Sequence, residues 1–315
     1  MYTGVRSVSA AQPYRKRHRI DRASSPDVTN FLRRTIRFAH VAWRAAYSLI
    51  EYGYLRLKLG RSLSYSERAA WLHRCCRKVL PHLGVQVEWH GRPPTSGLLI
   101  ANHLTYMDIL LLSSMTPCCF LSKAEVRRWP VFGWIAQLAG TIFLDRKNPA
   151  ALLRANDQLR ALLAQGVLVV LFPEGTTSDG SSVLPFHASL FQTAVESDIP
   201  LTPAYITYHI SEGSLAEDVC FWGDMTLVPH LWNLFSRSVL HAFVIFGATE
   251  RGFENRKEAA ERMHSRVMAL ADDQKTASGT SGHTPEKAPG THGERVAAGP
   301  VHVTLAKRAE MDGSP

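Results

Sequence analysis

Cysteine is scarce in this chain: five thiols in 315 residues, at Cys75, Cys76, Cys118, Cys119 and Cys220. They include no C-x-x-C pair and fall far short of disulfide-scaffold density, so a zinc site and a stapled secreted domain are both disfavoured and a reducing compartment is expected. No stretch reaches the roughly 18 to 20 apolar residues of a membrane-spanning helix. Residues 1 to 22 lack an apolar run and carry Arg6, Arg15, Lys16, Arg17, Arg19 and Arg22, which excludes a secretory signal there. There is no internal repeat, no G-x-S-x-G nucleophile elbow, no zinc finger and no aromatic-basic interleaving of the RNA-recognition kind, so nucleic acid is not an expected partner.

Acidic charge is also missing from one end. The first sixty residues hold twelve Lys and Arg against Asp21, Asp27 and Glu51, a net of +9 that equals the net charge of the whole chain. Charge concentrated this way points to an anionic partner met by that end. A hydrophobic content of 45% over 315 residues suffices for a buried core.

The pattern divides into a disordered basic arm over 1–26, N-terminal amphipathic membrane-associating helices over 27–81, a catalytic domain over 82–271 and a disordered tail over 272–315. Residues 29 to 59 read as one long helix. At about 100° per residue, Arg33, Arg37, Arg44, Glu51 and Lys58 share a narrow face, and Phe31, Leu32, Ala39, Trp43, Ala46, Leu49, Ile50 and Leu57 lie opposite. Such a helix can lie in the headgroup layer, apolar side in lipid and arginines near phosphates, or it can pack on the protein's own core. Ser64 and Glu67 form a capping-box pair that opens a second helix.

Short apolar runs then alternate with helical stretches. Strands are expected over 85–89, 97–101, 118–121, 141–144, 167–172, 201–205 and 242–246, and helices near 106–115, 124–138, 149–165, 187–196, 230–236 and 255–270. The alternation predicts an α/β domain with a mixed, largely buried sheet flanked by helices.

Three segments carry residues suited to chemistry. In Ala101-Asn102-His103-Leu104-Thr105-Tyr106-Met107-Asp108, the histidine and aspartate are five apart, about 140° around a regular helix. They meet only if His103 precedes the helix, with Thr105 as N-cap and Asp108 at its third position. A carboxylate there can hold one imidazole nitrogen and leave the other to accept a proton from a hydroxyl. The bland reading is a capping aspartate beside a strand-end histidine. The strand-like run 167–172 breaks at once into Pro173-Glu174-Gly175-Thr176-Thr177-Ser178, a sharp turn able to present amides or Glu174 at a sheet edge. Gly140-Thr141-Ile142-Phe143-Leu144-Asp145-Arg146 places a guanidinium just past a strand, where it suits bidentate phosphate recognition.

These segments in this order, followed by Ile199-Pro200-Leu201-Thr202-Pro203-Ala204-Tyr205, resemble the glycerolipid acyltransferase family that acylates lysophosphatidate and related lipids. The resemblance covers about residues 85 to 250, and Lys123, Glu125, Pro130, Phe132, Gly133 and Trp134 are similar to the family's pattern between its first two blocks. It implies an O-acyltransferase with His103 as general base and Asp108 as its orienting partner. It also implies that Phe143, Arg146, Glu174, Gly175 and Thr176, with Lys123, bind the acceptor, Arg146 toward a phosphate, and that Pro203 marks the acyl-donor side. No cofactor or metal is implied. The co-substrate is acyl-CoA or acyl carrier protein, the partners are the lysolipid acceptor and a membrane surface with anionic lipids, and the place is the cytoplasmic face of a membrane. The implied acceptor is 1-acylglycerol-3-phosphate, giving phosphatidate. One departure matters: phosphatidate-forming members commonly read F-P-E-G-T-R-S in the third block, and this chain has Thr177 where that arginine stands. Ser178-Asp179-Gly180 and Leu184-Pro185-Phe186 are closer to relatives that acylate lyso-ornithine lipid or another lysolipid. Binding without catalysis, or hydrolysis with water as acceptor, are the competing readings.

Overall fold

The computed structural model describes residues 28–280 apart from positions 130, 146 and 147. The basic arm expected over 1–26, and everything beyond 280, lie outside the described residues.

All seven expected strands form: β1 (Val85–His90), β2 (Leu98–Ala101), β3 (Cys119–Lys123), β4 (Ile142–Leu144), β5 (Val169–Leu171), β6 (Leu201–His209) and β7 (Leu240–Phe246). They make one sheet in the order β1-β7-β6-β2-β5-β3-β4. From β6 to β4 every neighbouring pair is parallel, whereas β7 runs antiparallel to β6 and pairs in parallel with β1. The continuous apolar runs of β2 and β5 are buried along their whole length, as central parallel strands must be when helices cover both faces. Side chains alternate across β2: Leu99 and Ala101 join the core that holds Trp71, Leu72 and Leu112, and Leu98 and Ile100 join the one that holds Leu159, Leu162 and Met263.

Nine α-helices are described: α1 (Val28–Leu59), α2 (Tyr65–Val79), α3 (Met107–Met115), α4 (Phe132–Leu138), α5 (Pro149–Ala164), α6 (Gln192–Glu196), α7 (Leu215–Asp218), α8 (Leu227–Leu234) and α9 (Arg256–Thr280). The capping box at the start of α2 is present: the Ser64 hydroxyl accepts the Glu67 amide, and the Glu67 carboxylate accepts the Ser64 amide at 2.6 Å. Three expectations are corrected. The single helix expected over 124–138 is a 3-10 turn (Ala124–Arg128) and α4, separated by Val131 at φ 63°, as the proline at 130 in the sequence denies a helix its N–H there. The helix near 187–196 is likewise a 3-10 turn followed by α6. The last helix continues to Thr280, so residues 272–280 are not the start of an unstructured tail.

The helix α1 is packed inside out. Arg33, Arg34, Arg37, Arg44 and Glu51 turn toward the body of the protein with Val41, Ser48 and Tyr52, whereas Phe31, Leu32, Trp43, Leu49, Ile50 and Leu57 are exposed. The inner face is held by polar bonds. Arg33 donates to the Ser236 carbonyl at 2.7 Å, and Arg37 donates to the carbonyls of Phe235, Arg237 and Ser238, all in the chain leaving α8. Arg74 of α2 donates to Glu51 at 2.8 Å, and the Trp71 indole donates to the Ser48 carbonyl. The expectation that Arg33 and Arg37 reach lipid phosphates is therefore corrected: carbonyls of residues 235–238, in the chain that follows α8, take those guanidinium donors instead. No described helix is long and apolar enough to cross a membrane.

Candidate active site

The carboxyl ends of the parallel strands share one edge of the sheet, the usual place for ligands in such folds. β2 leads into His103, with β5 and β6 as its neighbours. Asn102 fastens the end of β2 to β6: its amide donates to the Ile206 carbonyl at 2.9 Å and its side-chain oxygen accepts the Ile206 N–H at 2.7 Å. His103 thereby emerges from a pinned strand end.

His103 Nδ1 lies 2.8 Å from Asp108 Oδ2. The imidazole is 18% exposed and the carboxyl is 0% exposed. The same Oδ2 accepts the backbone N–H groups of Leu104 at 2.7 Å and Thr105 at 3.1 Å, so the aspartate folds the 103–105 loop around itself. Its other oxygen, Oδ1, accepts the Tyr208 hydroxyl at 2.6 Å. Burial, and then the charge of Asp108, push the Tyr208 phenol well above its ordinary range, which keeps it a donor. Asp108 is thus a fully paired buried anion. The expected N-cap is corrected: Tyr106 occupies that position without a side-chain bond, and the Thr105 hydroxyl is buried without a partner. Because Asp108 Oδ2 already receives the loop amides, the helix start is closed from inside by the aspartate.

Glu174 comes into the same cluster from the turn after β5. Its Oε1 accepts the His103 backbone N–H at 2.9 Å and its Oε2 accepts that of Leu184 at 3.2 Å. It is 3% exposed. Burial raises its carboxyl to about 7, those two N–H bonds oppose the rise, and the Asp108 charge adds to it. Glu174 therefore holds the main chain of the histidine. The His103 carbonyl in turn accepts Ser178 N–H at 3.0 Å, and the His103 ring stacks on Phe172, centroids 4.0 Å apart and planes 10° apart. Gly175 takes φ 66°, a left-handed geometry that suits glycine, and Thr176 beside it is exposed. The Thr177 hydroxyl donates to the Phe221 carbonyl, which ties this position into the body of the protein.

The other expected residues lie on the same edge or within the sheet. Lys123 is exposed at the last position of β3, paired in register with Leu144, and Phe143 is half-buried in β4 opposite Ser122. Arg146 lies outside the described residues. Pro203 is buried in β6 opposite Ile100, and its carbonyl accepts Gly247 N–H at 2.8 Å. Tyr106, beside the dyad, packs against Phe132 of α4, Phe221 and His230 of α8, with its hydroxyl 3.0 Å from His230 Nδ1. Reading the sequence missed Tyr208 and His230. Tyr208 lies 100 positions from Asp108, and no local signal joins the two.

Comparison with known proteins gives consistent relatives. The family model described as Acyltransferase matches residues 85–207. The lyso-ornithine lipid O-acyltransferase of Pseudomonas aeruginosa is 35% identical over 64% of this chain and 76% of its own length. The lyso-ornithine lipid O-acyltransferase of Rhizobium meliloti is 34% identical over 70% of this chain and 84% of its own. The 1-acyl-sn-glycerol-3-phosphate acyltransferase of Neisseria meningitidis is 32% identical over 62% of this chain and 79% of its own. Among solved structures, the 1-acyl-sn-glycerophosphate (LPA) acyltransferase of Thermotoga maritima shares the fold with a TM-score of 0.58 at 18% identity, over 79% of this chain and 95% of that one.

Proposed function

The chain belongs to the acyltransferase family, and from that premise we propose that it moves a fatty acyl group from a thioester donor onto the free hydroxyl of lyso-ornithine lipid at a membrane surface. The observation that carries the chemistry is the 2.8 Å bond between a partly open imidazole and a buried carboxylate at the sheet's ligand-binding edge.

With Nδ1 held by Asp108, His103 keeps Nε2 for the acceptor. That nitrogen takes the hydroxyl proton as the oxygen attacks the thioester carbonyl carbon. Collapse of the tetrahedral adduct breaks the C–S bond, and the imidazolium returns the proton to the departing thiolate. No covalent acyl-enzyme is needed. Asp108 fixes the tautomer and Glu174 fixes the backbone that carries the ring, so the base is positioned before substrate arrives. Acyl-CoA and acyl carrier protein both present such a thioester.

Two features favour lyso-ornithine lipid over 1-acylglycerol-3-phosphate. An ornithine headgroup carries an ammonium and a carboxylate and has no phosphate, so the acceptor does not need the arginine that Thr177 replaces, and Thr177 spends its hydroxyl on Phe221. Two lyso-ornithine relatives also match at 34 to 35% identity over 64 to 70% of this chain, against 32% over 62% for the 1-acylglycerol-3-phosphate enzyme of Neisseria meningitidis. Membrane contact is supported by the outward apolar face of α1.

The test is mass spectrometry of products from purified protein given lyso-ornithine lipid, 1-acylglycerol-3-phosphate and other lysolipids, with each donor in turn. One acyl group added to lyso-ornithine lipid is the expected outcome. Phosphatidate alone would replace the acceptor, free fatty acid alone would make the protein a hydrolase, and no product with any pair would leave a binding protein.

A further inference from the structure

The imidazole of His103 is backed by an aromatic ring, and strand geometry explains why. Side chains alternate along β2, so Leu99, Ala101 and, just past the strand, His103 are set to one face of the sheet. Leu99 and Ala101 join the core on that face, and so does Phe172. β5 lies beside β2 with Leu171 opposite Ile100, which brings Phe172, the next residue, up to the end of β2. There the rings of His103 and Phe172 lie face to face, centroids 4.0 Å apart and planes 10° apart.

Phe172 is itself well held. Phe120 of β3, the next strand over, stacks against it with centroids 6.2 Å apart and planes 19° apart, and both rings are buried. The Phe172 carbonyl accepts the Gly175 N–H at 3.1 Å, in the same turn whose Glu174 accepts the His103 N–H. The imidazole thus meets two different partners, a carboxylate at its Nδ1 edge and a π face along its plane. The negative face of an aromatic ring attracts a cation within about 6 Å of its centroid. His103 becomes a cation only as the acceptor's proton moves to it, so this contact strengthens during attack on the thioester. Interactions stronger in the transition state than at rest are the ones that raise the rate.

We infer that Phe172 is a positioning residue that holds the His103 ring by its face and stabilises, through its quadrupole, the imidazolium formed as the acceptor hydroxyl is deprotonated. It acts through His103 and makes no bond in the reaction. This role rests on His103 being the base, as in the function proposed above.

The test is the single-turnover rate of acyl transfer by the full chain. Wild type is compared with Phe172→Leu and with proteins carrying mono-, di- or trifluorinated phenylalanine at position 172 alone. Fluorine draws electron density from the ring face and hardly alters its size. Rates should fall stepwise, about twofold with each fluorine, and about tenfold in Phe172→Leu, the scale of a cation–π contact shielded from water. KM for donor and acceptor, and the melting temperatures of the fluorinated proteins, should be unchanged. Trifluorinated phenylalanine at Phe191, buried in the core on the other face of the sheet, should leave the rate at the wild-type value. Equal rates across the fluorinated series would reduce Phe172 to packing and overturn its electrostatic role, whatever the rate of Phe172→Leu. A fall of the same size from fluorine at Phe191 would overturn it too. His103→Ala in the same assay separates the two readings. If that variant transfers at the wild-type rate, or wild type forms no product, the base assignment fails and the role of Phe172 with it. If His103→Ala is inactive while the fluorinated series is flat, the role of Phe172 alone is lost.

Discussion

Along α1 the protein leaves Trp43 67% and Ile50 71% exposed, whereas at the mouth of α3 it buries the carboxyl of Asp108 completely. Each arrangement reverses the usual sorting of polar and apolar groups, and each is balanced differently. Asp108 is compensated within the fold by His103, Tyr208 and two backbone amides. The apolar face of α1 has no such compensation among the described residues and looks outward for it. A reversal closed internally builds a site, and a reversal left open builds a surface.

The comparison breaks first at Asp108. Asp108→Asn should lower kcat about a thousandfold by misplacing the tautomer of His103, with about 1 to 3 kcal/mol of stability lost; steady-state kinetics beside thermal melts would show both. A fall in melting temperature with normal turnover would reduce the aspartate to a helix closure. Next, Ile50→Glu should weaken binding to vesicles about tenfold or more, the scale of removing one large side chain from lipid. Its unfolding free energy should stay within about 0.5 kcal/mol of wild type, because an exposed position has little packing to lose. A large loss of stability would mean that this face is buried against protein.

Glu174 sharpens the internal half. Its carboxyl titrates near 7 in the fold, above an ordinary glutamate at about 4.3, so between those values the folded protein holds a proton that the unfolded chain has released. The stabilisation from this group is therefore fully present below the ordinary value and is lost as pH rises through about 7. Glu174→Gln should flatten the pH dependence of unfolding across that window by roughly 3 kcal/mol, measured by denaturant titration at several pH values. An unchanged slope would place the titration elsewhere. The smallest effect is expected from Tyr208→Phe. Losing one donor to Asp108 should lower kcat about tenfold with KM unchanged. A purely structural tyrosine would leave kcat in place.

Much of the fold was legible because its signals are local. The run Leu98-Leu99-Ile100-Ala101 reads as a short buried strand, Ser64 and Glu67 announce a helix start three residues apart, and His103 with Asp108 works only at a helix mouth, where the structure puts it. What was illegible depends on position in three dimensions. Amphipathicity divides α1 into two faces but does not say which one points inward, so it leaves lipid and protein both open for arginines of which Arg33 and Arg37 bond the chain that follows α8. Tyr208 reaches Asp108 because β6 lies beside β2, a fact of strand order. Glu174 carries a motif position, yet its contact with the His103 amide is set by the pairing of β2 with β5. Four residues of α7 are too few to display a helical period.

The most direct measurement is acyl transfer by His103→Ala in single-turnover conditions with saturating donor and lysolipid. Product formation about a thousandfold or more below wild type, with melting temperature and vesicle affinity unchanged, is the result expected of the residue that takes the acceptor's proton. Transfer at the wild-type rate would contradict that role and remove the dyad from the chemistry.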